Sequence, residues 1–324
     1  MPLLSIVHLT VEYPGEAGWR RAVDDASFAV EPGEILALIG ERGSGKSLAC
    51  RAILRLLPGR HGRVASGRIA FEDRDISGLS ERELVAYRGR QIAMVFQDAE
   101  RFFDPALPLG EQLIEPLQFH DRLTRTAARR RATELLQRVG IVNTLDCLEA
   151  YPLDLSPGRR WRAMIAAGIS RQPRLLIVDQ PAGGLALTVQ AQIVRLLLDL
   201  RDSTGMAMIL ISRDLGPLAQ IADSVAVMYA GRIVERAPKS ELLRHPLHPY
   251  SEGLLRARPD SNPSGGLLPE LPGEPPAPAD LPAGCRFHPR CPLADEACRF
   301  GDMQLAEISS WRATACRHWD RIPR

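Results

Sequence analysis

The sequence predicts an α/β fold with an inserted helical subdomain and a small cysteine-rich tail. Short apolar runs alternate with helical patterns across residues 3–234, helical pattern alone fills residues 98–172, and four cysteines cluster near the C-terminus. We expect the apolar runs to form a mostly parallel core sheet. The predicted strands are Ile35–Ile39, Ile92–Phe96, Leu175–Val178, Met208–Ile211 and Val225–Met228.

Composition and charge limit the class of protein. The chain has 324 residues, of which 45% are hydrophobic and 25% charged, enough for one sizeable core and a smaller appendage. Its 41 basic and 39 acidic groups nearly cancel, which argues against a domain-wide surface for nucleic acid. We find neither a signal-peptide pattern nor an apolar run that could span a membrane, so we expect a cytoplasmic protein.

The first predicted strand leads into a phosphate-binding motif, which a predicted helix at Leu48–Leu57 follows. Its glycines let backbone N–H groups curl around phosphates, Lys46 supplies a charge to the β and γ phosphates, and Ser47 offers a hydroxyl to Mg²⁺. A glycine-rich turn that merely starts a helix is the alternative. The motif residues are Gly40, Glu41, Arg42, Gly43, Ser44, Gly45, Lys46 and Ser47.

The strand at Leu175–Val178 ends at Asp179, which places a carboxylate at the edge of the sheet where α/β proteins bind ligands. Such an acid is often a helix cap or a turn residue. Together with the upstream loop, Asp179 is predicted to hold the magnesium ion.

Three regions follow along the chain. Residues 1–258 are predicted to form the nucleotide-binding domain, with the helical subdomain at about 98–172. Residues 259–284 contain eight prolines in 26 positions, which predicts an extended linker. Residues 285–324 form the cysteine-rich tail, a polar segment in which we expect little core.

The order of further motifs resembles the ATPase domain of ABC transporters across about residues 3–234. Three later stretches look like the oligopeptide/dipeptide permease subfamily: Gln190–Gln192, Val225–Glu235 and His245–Tyr250. The domain motifs are Tyr13, Val95-Phe96-Gln97-Asp98, Leu155-Ser156-Pro157-Gly158-Arg159 and Ser212-Arg213-Asp214.

This resemblance implies roles for single residues. Tyr13 would stack on adenine, although a lone aromatic on a first strand is usually core. Gln97 would contact the metal and the γ-phosphate, with a solvated amide as the alternative. Ser156 and Gly158 would meet the ATP of a partner chain, since two ATPase subunits of this family pair head to tail.

The same resemblance implies partners. They are a second ATPase subunit in a heterodimer, two transmembrane permease subunits and an extracytoplasmic peptide-binding protein. The chain would then lie on the cytoplasmic face of the bacterial inner membrane. Peptides are the expected cargo, with nickel or another small solute, or antimicrobial peptides, as alternatives.

Four positions depart from the family pattern. Gln180 stands where the family has the glutamate that polarises water, and loss of general-base help is worth about 10²–10⁴ in rate. Arg213 replaces the switch histidine but could still contact a phosphate oxygen. Pro157 replaces a glycine, and Ala186 replaces an aspartate, which removes one polar link between the two sites of the dimer. We therefore expect a subunit that binds ATP and leaves most hydrolysis to its partner. A fully active ATPase and a non-cycling regulatory subunit are the other readings.

The cysteines fall into two groups. Cys50 and Cys147 are expected to be buried thiols of the ATPase body. The tail cysteines suit an iron–sulfur cluster or a zinc site, because disulfides are rare in a reducing cytoplasm. Resemblance to permease subunits with a similar tail favours a [4Fe-4S] cluster, with His288 and His318 as possible substitute ligands or, alternatively, solvated side chains. The four tail cysteines are Cys285, Cys291, Cys298 and Cys316.

Overall fold

The computed structural model describes residues 1–16, 18–59, 62–181, 183–257, 271–301 and 303–322. Of the predicted linker at 259–284, residues 259–270 lie outside the described residues. The chain divides into two compact units: Met1–Ser80 with Ile209–Arg324, and Glu81–Met208. Among the described residues, every helix falls short of the length and apolar character that a membrane span requires.

The strands are β1 Leu4–Gly15, β2 Gly18–Val30, β3 Ile35–Ile39, β4 Arg63–Phe71, β5 Arg74–Asp75, β6 Ile92–Val95, β7 Leu175–Asp179, β8 Ala207–Ser212, β9 Ser224–Tyr229, β10 Arg232–Pro238, β11 Ala306–Ser309 and β12 Arg312–Thr314. The helices are α1 Lys46–Ile53, α2 Glu81–Leu84, α3 Ala99–Phe102, α4 Leu109–Asp121, α5 Arg125–Arg138, α6 Thr144–Glu149, α7 Pro157–Gly168, α8 Leu187–Thr204, α9 Lys239–Arg244 and α10 Pro249–Arg256.

The parallel strands are those that the apolar runs predicted. In the first unit the strand order is β11-β12-β10-β9-β3-β8, and β3 runs parallel to β9. All five residues of β3 are buried, as expected for a strand covered on both faces. In the second unit β6 pairs in parallel with β7. The two parallel pairs support the predicted α/β class.

The first unit also contains an antiparallel sheet that the sequence did not reveal, with strand order β2-β1-β4-β5. Strand β1 buries alternate residues at its start, with Leu4 and Ile6 at most 1% exposed. Register shifts interrupt its pairing with both β2 and β4. These irregularities break the period-two pattern, which hides the sheet from sequence inspection.

The predicted helix at Leu48–Leu57 is wrong at both ends. Helix α1 begins two residues earlier, at Lys46, and ends at Ile53. Arg55 takes φ of 50°, a left-handed conformation that cannot continue a right-handed helix. The chain therefore leaves the helix before Pro58.

The C-terminal tail has more core than expected. Strands β11 and β12 pair with each other, and β12 extends the sheet beside β10. Phe287 is 1% exposed and packs against Tyr229 and Tyr250, with ring centroids 5.2 and 5.3 Å away. The expectation of a polar tail with little core is therefore wrong, because aromatic residues of α10 and β9 supply the missing apolar surface.

The second unit carries the helical segment. Between residues 98 and 172 its described residues form α3 to α7 and a short 3₁₀ turn at Pro152–Asp154, without a strand. Helix α5 buries Ala128, Ala132, Leu135 and Leu136, which share one helical face.

Candidate functional site

The predicted phosphate loop joins β3 to α1 within the first unit. Gly40 and Gly45 have φ of 152° and 100°, where other residues are strained. A Cβ on Gly40 would lie 2.1 Å from the carbonyl oxygen of Met228, and one on Gly45 2.7 Å from that of Ala22. Close approach of neighbouring backbone therefore requires glycine at both positions.

Lys46 opens α1 and folds its side chain back over the loop. Its Nζ donates to the carbonyl oxygens of Gly40 (2.6 Å) and Glu41 (2.8 Å) and to Ser44 Oγ (2.8 Å). The residue is only 5% exposed. An ammonium group held this way is placed where it can exchange loop oxygens for phosphate oxygens.

The other loop residues differ in exposure. Ser44 is buried, and its carbonyl oxygen accepts from Gly231 N–H at 2.9 Å. Ser47 and Glu41 are half-buried, whereas Arg42 and Gly43 are exposed. The loop is thus fixed at its two ends and open in the middle.

Two further predicted residues of this unit are Tyr13 and Arg213. Tyr13 lies on β1, half-buried, with its ring so close to Gly62 that a Cβ there would lie 2.6 Å away. Burial raises the pKa of its phenol, and its hydroxyl has no hydrogen-bond partner among the described residues. Arg213 is exposed, just after β8. The assignment of Tyr13 to adenine and of Arg213 to a phosphate stays a prediction.

In the second unit, Asp179 closes β7 and is fully buried, while Gln180 follows in a left-handed conformation with φ of 52°. Gln97, which lies just before α3, donates from Nε2 to Gln180 Oε1 at 3.1 Å. The structure thus brings together three predicted residues of this unit. The arrangement offers one carboxylate and two amides, and neither amide can accept a proton at neutral pH.

The predicted motif at residues 155–159 spans the start of helix α7. Ser156 is the N-cap, accepting a hydrogen bond from Arg159 N–H at 3.4 Å, and Pro157 is the first helical residue. Proline fits this position but lacks the N–H that a glycine offers there. A Cβ on Gly158 would lie 3.1 Å from a methyl group of Val189. The helix start is intact as structure, with one donor fewer.

Ala186 is the N-cap residue of α8, and no side chain caps this helix. An aspartate at this position, as in the family pattern, would accept a hydrogen bond from the first turn. The departure at Ala186 therefore has a local structural cost besides its predicted loss of a polar link.

The four tail cysteines lie close enough for their charges to interact. Burial raises the pKa of the Cys291 thiol to about 11, with the charges of Cys285 and Cys298 adding to the effect. Burial likewise raises the pKa of Cys316 to about 12, helped by all three other thiols. Cys285 N–H donates to the Cys298 carbonyl oxygen at 2.9 Å. The fold therefore collects four cysteines that the sequence spaces over 32 positions.

A second grouping overlaps the first. Asp295, Cys298 and His318 place one possible ligand atom each within 4.8 Å of one another, and His318 Nε2 lies 2.9 Å from Asp295 Oδ2. His318 is 7% exposed, so the alternative of a solvated histidine is wrong there. His288 is half-buried, and its ring nitrogen Nδ1 lies 2.9 Å from the Cys285 carbonyl oxygen.

Sequence reasoning missed the residues that hold the phosphate loop from outside. Glu41 N–H donates to the Tyr250 hydroxyl at 2.7 Å, and the Glu41 carboxylate pairs with Arg290 of the tail. Both partners fall in stretches singled out for other reasons, one for its subfamily pattern and one for its cysteines. Partners 209 and 249 positions away leave no spacing signal.

Comparison with known proteins gives two family matches. A model described as ABC transporter matches residues 23–183, and one described as Oligopeptide/dipeptide transporter, C-terminal region, matches residues 234–298. A putative peptide import ATP-binding protein of Brucella melitensis biotype 1 is 43% identical, over 97% of this chain and 94% of its own length. The oligopeptide transport ATP-binding protein AppD of Bacillus subtilis is 40% identical, over 91% and 90%.

Solved structures share the fold at lower identity. A dimeric post-hydrolysis state of the ATP-binding cassette MJ0796 with ADP and Pi matches with a TM-score of 0.65 and 22% identity, covering 73% of this chain and 98% of its own. The cbiO1 protein of Clostridium perfringens, part of an ABC transporter complex, matches with a TM-score of 0.64 and 24% identity, covering 75% and 91%. At these identities the likeness shows the fold alone.

Proposed function

The chain belongs to the ABC transporter ATP-binding proteins that carry an oligopeptide/dipeptide-type C-terminal region, and on that premise we propose that it powers peptide import by binding Mg-ATP. The proposal rests on one observation: the same chain contains that C-terminal region and a loop with a buried lysine, in which close backbone neighbours require glycine at two positions. Relatives named for peptide import along nearly the whole chain support the cargo class.

The residues present fit a magnesium nucleotide. The Ser47 hydroxyl, the buried Asp179 carboxylate and the Gln97 amide are oxygen ligands of the kind that Mg²⁺ prefers. When bound, the ion would neutralise phosphate charge. Lys46 supplies the protein's own cation to the phosphates, and the Gly40–Ser47 backbone supplies N–H donors.

The hydrolytic step of this chain's own site is proposed to be slow. Gln180 occupies the position after the metal aspartate, and its amide cannot take a proton from the attacking water. Its hydrogen bond with Gln97 joins two positions from which, by the family resemblance, side chains orient that water and the γ-phosphate. The chain would then close around ATP while its partner's site does most of the hydrolysis.

The assembly is proposed to match the family's. A second ATPase subunit would supply the facing half of each site, and Ser156 and Gly158 would meet its nucleotide. Two permease subunits and an extracytoplasmic peptide-binding protein would complete a transporter with this chain at the cytoplasmic face of the inner membrane.

The tail is proposed to hold a [4Fe-4S] cluster on Cys285, Cys291, Cys298 and Cys316. The charges of these four cysteines interact in the folded tail, and their thiolates are the soft ligands that an iron–sulfur cluster takes. Such a cluster would supply a structural cross-link with redox character. Broad visible absorption and about four irons per chain after anaerobic purification would support it, whereas colourless protein with one zinc would overturn it.

The test of nucleotide binding uses the whole chain and a Lys46→Ala variant. We expect calorimetric titration with Mg-ATP to give saturable binding, and the alanine variant to bind about 100-fold more weakly, because a charge-assisted contact with phosphate is lost. Lys239→Ala, which alters the chain's other lysine, is the control and is expected to bind normally. Binding that is absent, or insensitive to Lys46, would contradict the proposal.

A further inference from the structure

Glu41 places a carboxylate in the loop that is proposed to receive a triphosphate. Like charges repel, so an unneutralised carboxylate at this position would oppose nucleotide binding. The side chain is 25% exposed, which leaves it only partly screened by water. A neighbouring cation would offset this repulsion and favour ATP binding.

Arg290 supplies that charge in a two-point contact. Its Nη1 donates to Glu41 Oε2 at 2.8 Å and its Nη2 donates to Oε1 at 3.0 Å. This fork-to-fork geometry is the strong and orientation-specific form of an arginine–carboxylate pair. The pair ties the C-terminal tail directly to the second residue of the loop.

The arginine is itself held rigidly. Its side chain is 5% exposed, its Nε donates to the Pro272 carbonyl oxygen at 2.7 Å, and its Nη1 also reaches the Tyr229 hydroxyl at 3.3 Å. Its guanidinium carbon lies 5.7 Å from the ring centroids of both Tyr229 and Phe287. Because these contacts fix the arginine, its pairing with Glu41 restrains the glutamate side chain as well.

Glu41 also contacts Lys46, so the restraint on Glu41 helps to position the lysine. Its N–H donates to the Tyr250 hydroxyl, and its carbonyl oxygen accepts from Lys46 Nζ. The residue is thus fixed through its side chain, its N–H and its carbonyl group at once. Because the loop is ordered before nucleotide arrives, less entropy is lost on binding.

We propose that Arg290 is a positioning residue for nucleotide binding: by pairing with Glu41 it orders the phosphate loop and neutralises the carboxylate inside it. This inference rests on the proposed function, since it presumes that the loop binds Mg-ATP. Arg290 stands directly before Cys291, so the turn that carries the cysteines is also the turn that holds the loop.

The test measures the Kd for Mg-ATP with the full chain by calorimetry. Arg290→Met is expected to weaken binding about tenfold, because a bare carboxylate faces the phosphates and the loop loses its clamp. Adding Glu41→Gln to Arg290→Met is expected to recover most of that loss by removing the uncompensated charge. Arg290→Lys, which keeps the charge without the fork, is expected to fall between wild type and Arg290→Met.

The matched control is Arg312→Met. Arg312 is another largely buried tail arginine, with a side chain that is 13% exposed. Its Nη2 lies 3.8 Å from Glu235 Oε1 and its Nη1 lies 3.5 Å from Glu241 Oε2, and neither glutamate belongs to the phosphate loop. We expect it to lower thermal stability while leaving the Kd within about twofold of wild type. Equal weakening by both methionine variants, an unchanged Kd in Arg290→Met, or no recovery with Glu41→Gln would each overturn the proposal. A wild-type chain that binds no Mg-ATP would instead overturn the proposed function.

Discussion

The phosphate loop and the segment from Ser156 to Ala186 differ in how closely they follow the family pattern. At the loop, the glycines, the buried Lys46 and the pairing of Glu41 with Arg290 are all in place. In the other segment, Pro157 has no N–H to donate, the Gln180 amide cannot act as a general base, and the Ala186 side chain cannot cap its helix. Under the proposed function, this sequence keeps the residues for nucleotide binding and replaces those for hydrolysis.

The largest effect should come from restoring the base. Gln180→Glu places a carboxylate directly after Asp179, and we expect ATP turnover to rise by about 10²–10⁴, the usual range for general-base help. Steady-state phosphate release measures it, with Gln180→Ala as the control. An unchanged rate in the glutamate variant would mean that the difference between the two regions does not lie in this residue.

The scaffold behind the loop should be sensitive to pH. Glu235 is fully buried and accepts hydrogen bonds from the N–H groups of Leu247 and His248, at 2.7 and 3.0 Å. Burial raises the pKa of its carboxyl from 4.5 to about 7. A raised pKa means that its contribution to stability is complete below about pH 4.5 and is lost as the pH rises through about 7.

We therefore expect wild-type stability, compared with Glu235→Gln, to fall between pH 5 and pH 8 by up to about 3 kcal/mol. The glutamine variant lacks this titration and provides the reference at each pH. Burial lowers the pKa of His248 from 6.5 to about 3, so its protonation in the unfolded state makes stability rise with pH up to about 6.5. Both proteins contain this histidine, so its contribution cancels when they are compared at the same pH. Chemical denaturation at several pH values measures the difference, and parallel curves for the two proteins would exclude the effect.

The smallest effect should come from repairing the cap of α8. Ala186→Asp adds an acceptor for the N–H groups of the first turn, and we expect about 1 kcal/mol of added stability. Ala186→Asn, which caps without charge, separates capping from electrostatics. Thermal unfolding gives the readout. A change in stability of zero in both variants would show that this helix start is not weakened.

The parallel strands could be predicted because their signal is local. Ile35–Ile39 and Leu175–Val178 are continuous apolar runs, and the side chains alone identify them. The antiparallel sheet was missed because register shifts disturb the alternation in Leu4–Gly15. A fully buried strand can be recognised from its own apolar residues. The conformation of a half-buried, irregular strand depends on the strands with which it pairs.

The candidate site divides in the same way. The residues of the phosphate loop and Asp179 lie at fixed places in a motif, so sequence identified them before any contact was known. Arg290 could not be identified in this way, because its role depends on a contact with Glu41, which is 249 positions away in the sequence. Position along the chain reveals the residues that face a ligand better than those that hold them in place.

The most direct test of the contrast identifies the nucleotide that the chain holds after prolonged incubation with Mg-ATP. Wild-type protein is incubated, freed of unbound nucleotide and extracted, and the extract is separated by chromatography, with Gln180→Glu treated in parallel. We expect intact ATP from the wild type and mainly ADP from the glutamate variant. Mainly ADP from the wild type would contradict a chain that binds nucleotide and leaves its hydrolysis to a partner.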